Sequence, residues 1–116
     1  MTRGQILQYV KEKYGTVSEH LWLKYPDYEV LRHENEGKWY GIIMDIPKSK
    51  IGRQGNDVID ILVLKGKPED VIHICDMEGF APAYHMNKKH WFTVVLDEVE
   101  DSVVCGLTDK SYELTK

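Results

Sequence analysis

The chain lacks several features that would point to a particular compartment or chemistry. It has 116 residues but only 2 cysteines. No apolar run approaches the roughly 18 residues of a membrane-spanning helix, and the first residues carry no apolar signal-peptide core. We therefore predict a cytoplasmic protein with no membrane partner. Repeats, low-complexity stretches and linkers are also absent from the sequence, which predicts one domain over residues 1–116.

The two cysteines give no sign of a disulfide or of a reactive thiol. Cys75 and Cys105 are far apart and lie in apolar surroundings. In a reducing compartment such cysteines are usually small core residues, and their separation does not match the spacing of metal ligands. We expect both to be structural.

The histidines and serines lack the settings that metal binding or catalysis requires. His85 and His90 are separated by a stretch that contains Lys88 and Lys89, which would oppose a bound cation. No serine lies on a sharp turn beside a recognisable base. We therefore predict no metal, no cofactor and no enzymatic activity.

An excess of positive charge is also missing, since the net charge is −4. This balance disfavours strong non-specific binding to nucleic acid, which depends on neutralising phosphates. The charges are segregated, however, with cations in two loops and acids concentrated between residues 97 and 101. The sequence therefore predicts a basic end and an acidic end.

Hydrophobic periodicity and capping residues predict the elements of the fold. Helices are expected over residues 3–14, from 68 to about 77, and over 101–115, with a possible break at Gly106. Strands are expected over residues 28–33, 39–46, 58–64 and 91–96, with a hairpin turn at 35–38. In the second strand, Tyr40, Ile42, Met44 and Ile46 should share one face. The third strand is apolar on both faces apart from Asp60, which predicts a central position.

This order of elements predicts an α+β fold. Short hairpins favour an antiparallel sheet, and the helices from both chain ends can cover one face of it. We therefore expect a two-layer sandwich with a sheet of about four to six strands. The opposite face would then be open, and Trp39, Ile43, Ile59 and Ile61 are expected to lie on it.

Two loops carry the residues most suited to contact a ligand. The loop over residues 47–56 contains two glycines and the cations Lys48, Lys50 and Arg53. Glycine allows backbone N–H groups to approach an anion, although the loop lacks the P-loop pattern. Either a solvated hairpin loop or a basic wing along a nucleic-acid backbone fits this composition.

The second loop leads into the apolar strand at 91–96 and is rich in aromatic and basic residues. Lys88 and Lys89 could contact phosphates, and Tyr84 and Trp91 could stack on bases. Aromatic residues beside a strand also commonly pack on the sheet, so both interpretations remain open.

Several segments occur in the same order in a known family of small bacterial proteins. They cover nearly the whole chain and include residues 24–26, 38–50, 79–91 and 111–114; the string at 82–91 is the most specific. On these segments the chain resembles the MmcQ/YjbR family. The resemblance implies a fold similar to the frataxin-like CyaY sandwich and DNA binding through a "double wing". Its wings would correspond to residues 47–56 and 87–91.

Two hypotheses of function follow. In the first, the protein is a DNA-binding accessory protein that contacts phosphates through the two basic loops, which requires the fold to bring them together. In the second, the protein is a protein- or small-ligand-binding module that uses the open face of the sheet, either as a monomer or as a weak homodimer.

Overall fold

The computed structural model describes residues 1–34 and 37–116. Its first element is the N-terminal helix expected from the sequence. Helix α1 spans Arg3–Tyr14. The Thr2 hydroxyl accepts a hydrogen bond from the Gln5 N–H at 3.1 Å, and the Gln5 side chain accepts one from the Thr2 N–H at 2.8 Å. This capping box fixes the start of the helix. Gly15 ends it at a φ of 70°, a left-handed conformation that favours glycine.

The sheet is antiparallel throughout, and its order along the layer is β1-β2-β3-β5-β4. Its strands are β1 (Glu29–Arg32), β2 (Trp39–Pro47), β3 (Val58–Lys65), β4 (Phe80–Pro82) and β5 (Trp91–Val95). The central position of β3 confirms the expectation drawn from its apolar residues. Strand β4 was not predicted, because three residues are too few to show an alternating pattern. In the predicted turn at 35–38, Asn35 and Glu36 lie outside the described residues.

Two further helices lie on the same face of the sheet as α1. Helix α2 spans Pro68–Ile74. Helix α3 spans Asp101–Leu114 and continues through Gly106 without a break. The three helices share one core with the sheet, which confirms the two-layer α+β sandwich. Short 3-10 helices follow β2 and β5, at Lys48–Ile51 and Leu96–Glu98. Among the described residues, no helix has the length and apolar character needed to cross a membrane.

Strict alternation fails in β2, and the cause is a bulge. Arg32 pairs with Trp39 while Leu31 pairs with Gly41, so two residues of β2 oppose one position of β1. Tyr40 therefore joins the helix-side core, whereas Ile42 joins the core on the opposite face. The prediction that Tyr40 shares a face with Ile42 is wrong for this reason.

The opposite face of the sheet, called the second face here, carries its own core. Its fully or nearly fully buried residues include Ile42, Met44, Ile61, Val63, Trp91 and Val95. Trp22 and Tyr28 from the segment before β1, and Tyr84 and Met86 from the β4–β5 connector, pack against it. The face is therefore covered by connecting segments, and no helix is required for this.

The four residues expected on the open face are placed differently from one another. Trp39, Ile59 and Ile61 lie on the second face as predicted, although Ile61 is completely buried. Ile43 lies in the helix-side core, so its assignment was wrong. The bulge explains this error. Strict alternation would put Trp39 and Ile43 on the same face, but the extra residue of the bulge lies between them and places Ile43 on the helix side.

Candidate ligand pocket on the second face of the sheet

The segment before β1 brings three aromatic residues onto the second face. Trp22 contacts both Tyr28 and Trp39 edge to face, each at 5.9 Å between ring centroids. Tyr25 stacks on Tyr28 at 4.7 Å with an interplanar angle of 11°. The Tyr28 N–H donates to the Tyr25 carbonyl at 3.1 Å, which closes the turn around Pro26. These contacts hold the rings in fixed relative positions.

The β4–β5 connector reaches the same face from the other side. The Tyr84 N–H donates to the Thr93 hydroxyl at 3.2 Å, and that hydroxyl donates to the Pro82 carbonyl at 3.0 Å. His85 adopts a φ of 57°, which is uncommon for a residue with a side chain. Its ring meets Tyr84 edge to face at 4.1 Å. The connector is thus held against β5 while it turns sharply at His85.

Between these segments lies a cavity of about 310 Å³, called the aromatic pocket here. Its lining is mainly aromatic, with two methionines and an isoleucine at the sheet. The lining residues are Trp22, Tyr25, Tyr28, Trp39, Ile42, Met44, Tyr84, His85 and Met86. A volume of this size, together with apolar walls, is typical of sites for small organic ligands.

The polar atoms of these rings have no hydrogen-bond partner among the described residues. Within residues 1–34 and 37–116, no hydrogen bond is made by the indole N–H groups of Trp22 and Trp39 or by the hydroxyls of Tyr25, Tyr28 and Tyr84. On the helix side, by contrast, the hydroxyls of Tyr9, Tyr14 and Tyr40 are all bonded to side chains. The aromatic pocket therefore offers donors that a ligand can use.

Tyr28 keeps its proton over the whole neutral range. Burial raises the pKa of its hydroxyl, and the nearby Tyr84, Tyr25 and Asp45 contribute to the rise. The Tyr28 hydroxyl is consequently a neutral donor toward any ligand at physiological pH.

A second cavity of about 450 Å³, called the polar lobe here, adjoins the aromatic pocket. The two share Tyr25, Tyr28, Tyr84 and His85. The polar lobe adds two lysines and two aspartates, together with Pro26, Ile46 and Pro47; the charged residues are Lys24, Lys50, Asp27 and Asp45. Of the cations predicted to bind phosphate, Lys50 is the one that reaches this site.

The other cations of the 47–56 loop are paired with acids. Arg53 donates to the Glu98 carboxylate, and the Lys48 ammonium lies 3.5 Å from Asp57. Lys50 is exposed and forms no ion pair within the described part of the chain. Pairing with carboxylates reduces the positive potential that Arg53 and Lys48 offer to a polyanion.

The four residues predicted as nucleic-acid contacts in the second basic loop also differ in their exposure and partners. Lys88 donates to the Ala83 carbonyl at 2.9 Å, and Lys89 is exposed. Trp91 is only 9% exposed, and the Lys65 ammonium lies 5.9 Å from its ring centroid. Trp91 is therefore part of the second-face core, where its ring is not accessible for stacking. Tyr84 is half-buried and lines the pocket.

The sheet places the two basic loops at opposite ends. The 47–56 loop follows the pairing of Pro47 with Val58 at one end of β3, whereas Trp91 pairs with Lys65 at the other end. The eight residues of β3 span about 23 Å at roughly 3.3 Å per residue. The structure does not bring Arg53 and Lys89 together.

The sequence pattern did not identify most of the pocket. Trp22 and Tyr25 lie in a segment without periodicity, and no role in ligand binding was predicted for Tyr28, Met44 or Met86. The signal that could have identified the site is the concentration of aromatic residues in that segment, opposite the aromatic connector that ends at Trp91.

A larger groove of about 680 Å³ lies on the helix side, between α2 and α3. Its apolar floor includes Phe92 and Leu107, and charged residues of both signs border it. Two of these acids are already engaged, because Asp109 accepts from Lys13 at 2.8 Å and Glu113 lies 3.2 Å from Lys116. Lys67, Asp70 and Lys110 form no ion pair with a described residue, so the groove also keeps free polar groups at its border.

The described residues contain no group of three or more His, Cys, Asp or Glu side chains arranged to hold a metal ion. Both cysteines are free and half-buried. Burial raises the pKa of the Cys75 and Cys105 thiols, and nearby acids contribute to the rise. Both thiols are therefore less reactive than an ordinary cysteine at neutral pH.

Comparisons with known proteins agree with this architecture. The chain is 43% identical to the uncharacterized protein YyaQ of Bacillus subtilis (strain 168), over all of this chain and 99% of that protein. A crystal structure of a Pseudomonas syringae protein matches with a TM-score of 0.97 and 43% identity over the full length of both chains. A solution NMR structure of a Pseudomonas syringae protein has a TM-score of 0.89 at the same identity, covering all of this chain and 94% of that one.

A more distant crystal structure, of Deinococcus radiodurans protein DR2400, matches with a TM-score of 0.73. At 24% identity over 98% of this chain and 78% of that one, this likeness concerns the fold alone. The model of the YjbR family matches residues 11–114, nearly the whole chain. The chain therefore belongs to the YjbR family.

Proposed function

We propose that the protein is a small-ligand-binding module and that its ligand occupies the aromatic pocket on the second face. The observation that supports this most directly is a cavity whose aromatic rings are fixed against each other while their hydrogen-bond donors have no partner among the described residues. Binding, and not catalysis, is the proposed activity, since no nucleophile and base are paired at this site.

A flat, largely apolar group fits this lining best. Ring faces and edges of Trp22, Tyr28 and Tyr84 favour offset or edge-to-face contact with another ring. Met44 and Met86 add flexible, polarizable surface that adapts to different shapes. The free indole and hydroxyl donors then select for acceptor atoms at the edge of the ligand.

Indole, a neutral flat probe, tests this proposal in an NMR titration. We expect shifts concentrated at the indole N–H signals of Trp22 and Trp39 and at the methyl groups of Met44 and Met86. Replacing Tyr25, whose ring is exposed, by alanine should weaken binding about three- to tenfold, the range of one aromatic contact.

Ile72→Ala is the matched control, because Ile72 is an exposed apolar residue on α2, away from the second face. It should leave indole binding unchanged. Shifts confined to residues of the groove between α2 and α3 would contradict the proposal, and so would the absence of any saturable shift.

Nucleic-acid binding is the second candidate, and two exposed lysines favour it. Neither Lys50 nor Lys89 forms an ion pair with a described residue. In this alternative, Tyr84 stacks on a base of an opened strand while the two lysines contact phosphates. The pairing of Arg53 with Glu98 and the separation of the two loops weigh against a grip by both basic loops at once.

Fluorescence anisotropy with short duplex and single-stranded DNA separates the two candidates. If DNA is bound at these positions, the Lys50→Glu/Lys89→Glu variant should reduce the log–log salt slope by about 2. Lys67→Glu/Lys110→Glu makes the same change in net charge on the helix side, where both lysines are exposed. Equal losses in both variants, or no binding at low salt, would remove this candidate.

A cytoplasmic location also remains a proposal. It is supported by the two free, half-buried cysteines, which are typical of proteins from reducing compartments.

A further inference from the structure

The charges beside the aromatic pocket indicate the chemical class of its ligand. The polar lobe contains two lysines and two aspartates, and none of the four forms an ion pair with a described residue. Lys24, Lys50 and Asp27 are exposed, while Asp45 is half-buried. The lobe thus presents unpaired charges of both signs next to a pocket for a ring.

We infer that the two cavities together bind a free aromatic amino acid, with the ring in the aromatic pocket and the α-ammonium and α-carboxylate in the polar lobe. This inference rests on the proposed function and specifies its ligand. The shared residues Tyr25, Tyr28, Tyr84 and His85 make the cavities adjoin, so that one small molecule can occupy both.

Each part of an amino acid finds a counterpart at the site. Asp27 and Asp45 can accept hydrogen bonds from an ammonium group, which has three donors and no acceptor. Lys24 and Lys50 can donate to a carboxylate. The ring is matched by the rings of Trp22, Tyr28 and Tyr84.

A nucleotide fits the same site less well. Its flat base would suit the aromatic pocket, but its phosphate would enter a lobe with as many acids as cations. Repulsion by Asp27 and Asp45 offsets the attraction by the lysines, so a purely anionic head group gains little. A ligand that carries one charge of each sign uses all four residues.

The test compares L-phenylalanine with three analogues by isothermal titration calorimetry and NMR. 3-Phenylpropanoate lacks the ammonium group, 2-phenylethylamine lacks the carboxylate, and adenosine monophosphate carries a flat ring with only negative charge. We expect phenylalanine to bind up to about fivefold more tightly than each, since one partly exposed ion pair is worth up to about 1 kcal/mol.

Two paired variants assign the charges. Asp27→Asn/Asp45→Asn should abolish the preference for phenylalanine over 3-phenylpropanoate, and Lys24→Gln/Lys50→Gln should abolish its preference over 2-phenylethylamine. The matched controls Asp70→Asn/Asp97→Asn and Lys67→Gln/Lys110→Gln remove exposed charges elsewhere and should change neither preference.

Failure of the inference is distinguishable from failure of the proposed function. If indole binds the pocket but phenylalanine binds no tighter than its analogues, the inference is overturned and the proposed function stands. Tighter binding of adenosine monophosphate overturns the inference in favour of a nucleotide ligand. If neither indole nor any of the four probes moves signals of the pocket, both are overturned.

Discussion

A single carboxylate, Asp109, connects α1 to α3. It accepts a hydrogen bond from the Tyr14 hydroxyl at 2.6 Å, from the Lys13 ammonium at 2.8 Å and from the Tyr9 hydroxyl at 2.9 Å. Burial alone would raise the pKa of Asp109, but the hydrogen bonds from Lys13, Tyr14 and Tyr9 outweigh it and hold the pKa below its ordinary value. The ionised form is therefore the one that the fold stabilises.

Replacing Asp109 by asparagine should lower the free energy of unfolding by about 1–2 kcal/mol at pH 7. The amide keeps the shape but loses the charge and exchanges one acceptor for a donor. Because the folded pKa lies below the unfolded one, this stabilisation is present above an unfolded pKa of about 4 and is lost as pH falls through the folded value. Urea unfolding at pH 7 and pH 3 measures the difference.

The exposed Asp97 provides the control, since its Asp97→Asn variant removes a carboxylate that has no ion pair in the described part of the chain. It should change stability by less than about 0.5 kcal/mol. A difference between wild type and Asp109→Asn that stayed constant down to pH 3 would show that the charge of Asp109 is not what stabilises the contact.

Single residues also show where prediction from the sequence stopped. The start of α1 could be predicted from the sequence, because the capping box formed by Thr2 and Gln5 depends only on near neighbours. The partners of Arg53 and Trp91 depend on residues far along the chain, Glu98 and Lys65. Pattern alone could not reveal that one cation is paired and one ring is buried.

At the scale of elements, a buried hydroxyl of α3 forms hydrogen bonds with two strands of the sheet. The Ser111 hydroxyl donates to the Tyr40 carbonyl in β2 at 2.5 Å and accepts from the Lys65 N–H in β3 at 3.0 Å. The pairing of β2 with β3 begins at Gly41 and Leu64, so Tyr40 and Lys65 lie one residue beyond its end. Ser111 is fully buried, so water cannot replace it.

The Ser111→Ala variant should therefore destabilise the protein by about 1–3 kcal/mol, because a buried acceptor and a partly buried donor lose their partner. Thermal or urea unfolding measures the change. Ser102→Ala is the matched control: this serine is exposed in the first turn of the same helix and should have little effect. Equal effects of the two substitutions would contradict the assigned role of Ser111.

Most elements were predictable because their signals are local. Helix α1 has the predicted limits, and the four predicted strands differ from the structure by at most one residue at each end. The bulge at Tyr40 and Gly41 was not predictable, since it is defined by pairing with Leu31 and Arg32. That one irregularity decides which face of the sheet Ile43 occupies.

At the scale of the whole molecule, the α+β class and the two layers could be predicted from the order of elements, but the structure of the second face could not. The sequence predicted an open second face, whereas connecting segments cover it and leave an aromatic cavity. These segments have no periodic pattern, so their packing depends on tertiary contacts. The placement of the basic loops likewise depends on which ends of β3 they adjoin.

The aromatic pocket is assembled from three stretches that are distant along the chain: the segment with Trp22, strand β2 with Trp39, and the connector with Tyr84. No one stretch forms it alone, so an unfolded polypeptide has no comparable affinity. By mass action, an occupant present at a hundred times its dissociation constant adds about 2.7 kcal/mol to the stability of the native state. Supply of that compound would therefore govern how long each copy survives proteolysis, which couples abundance of the protein to abundance of what it holds.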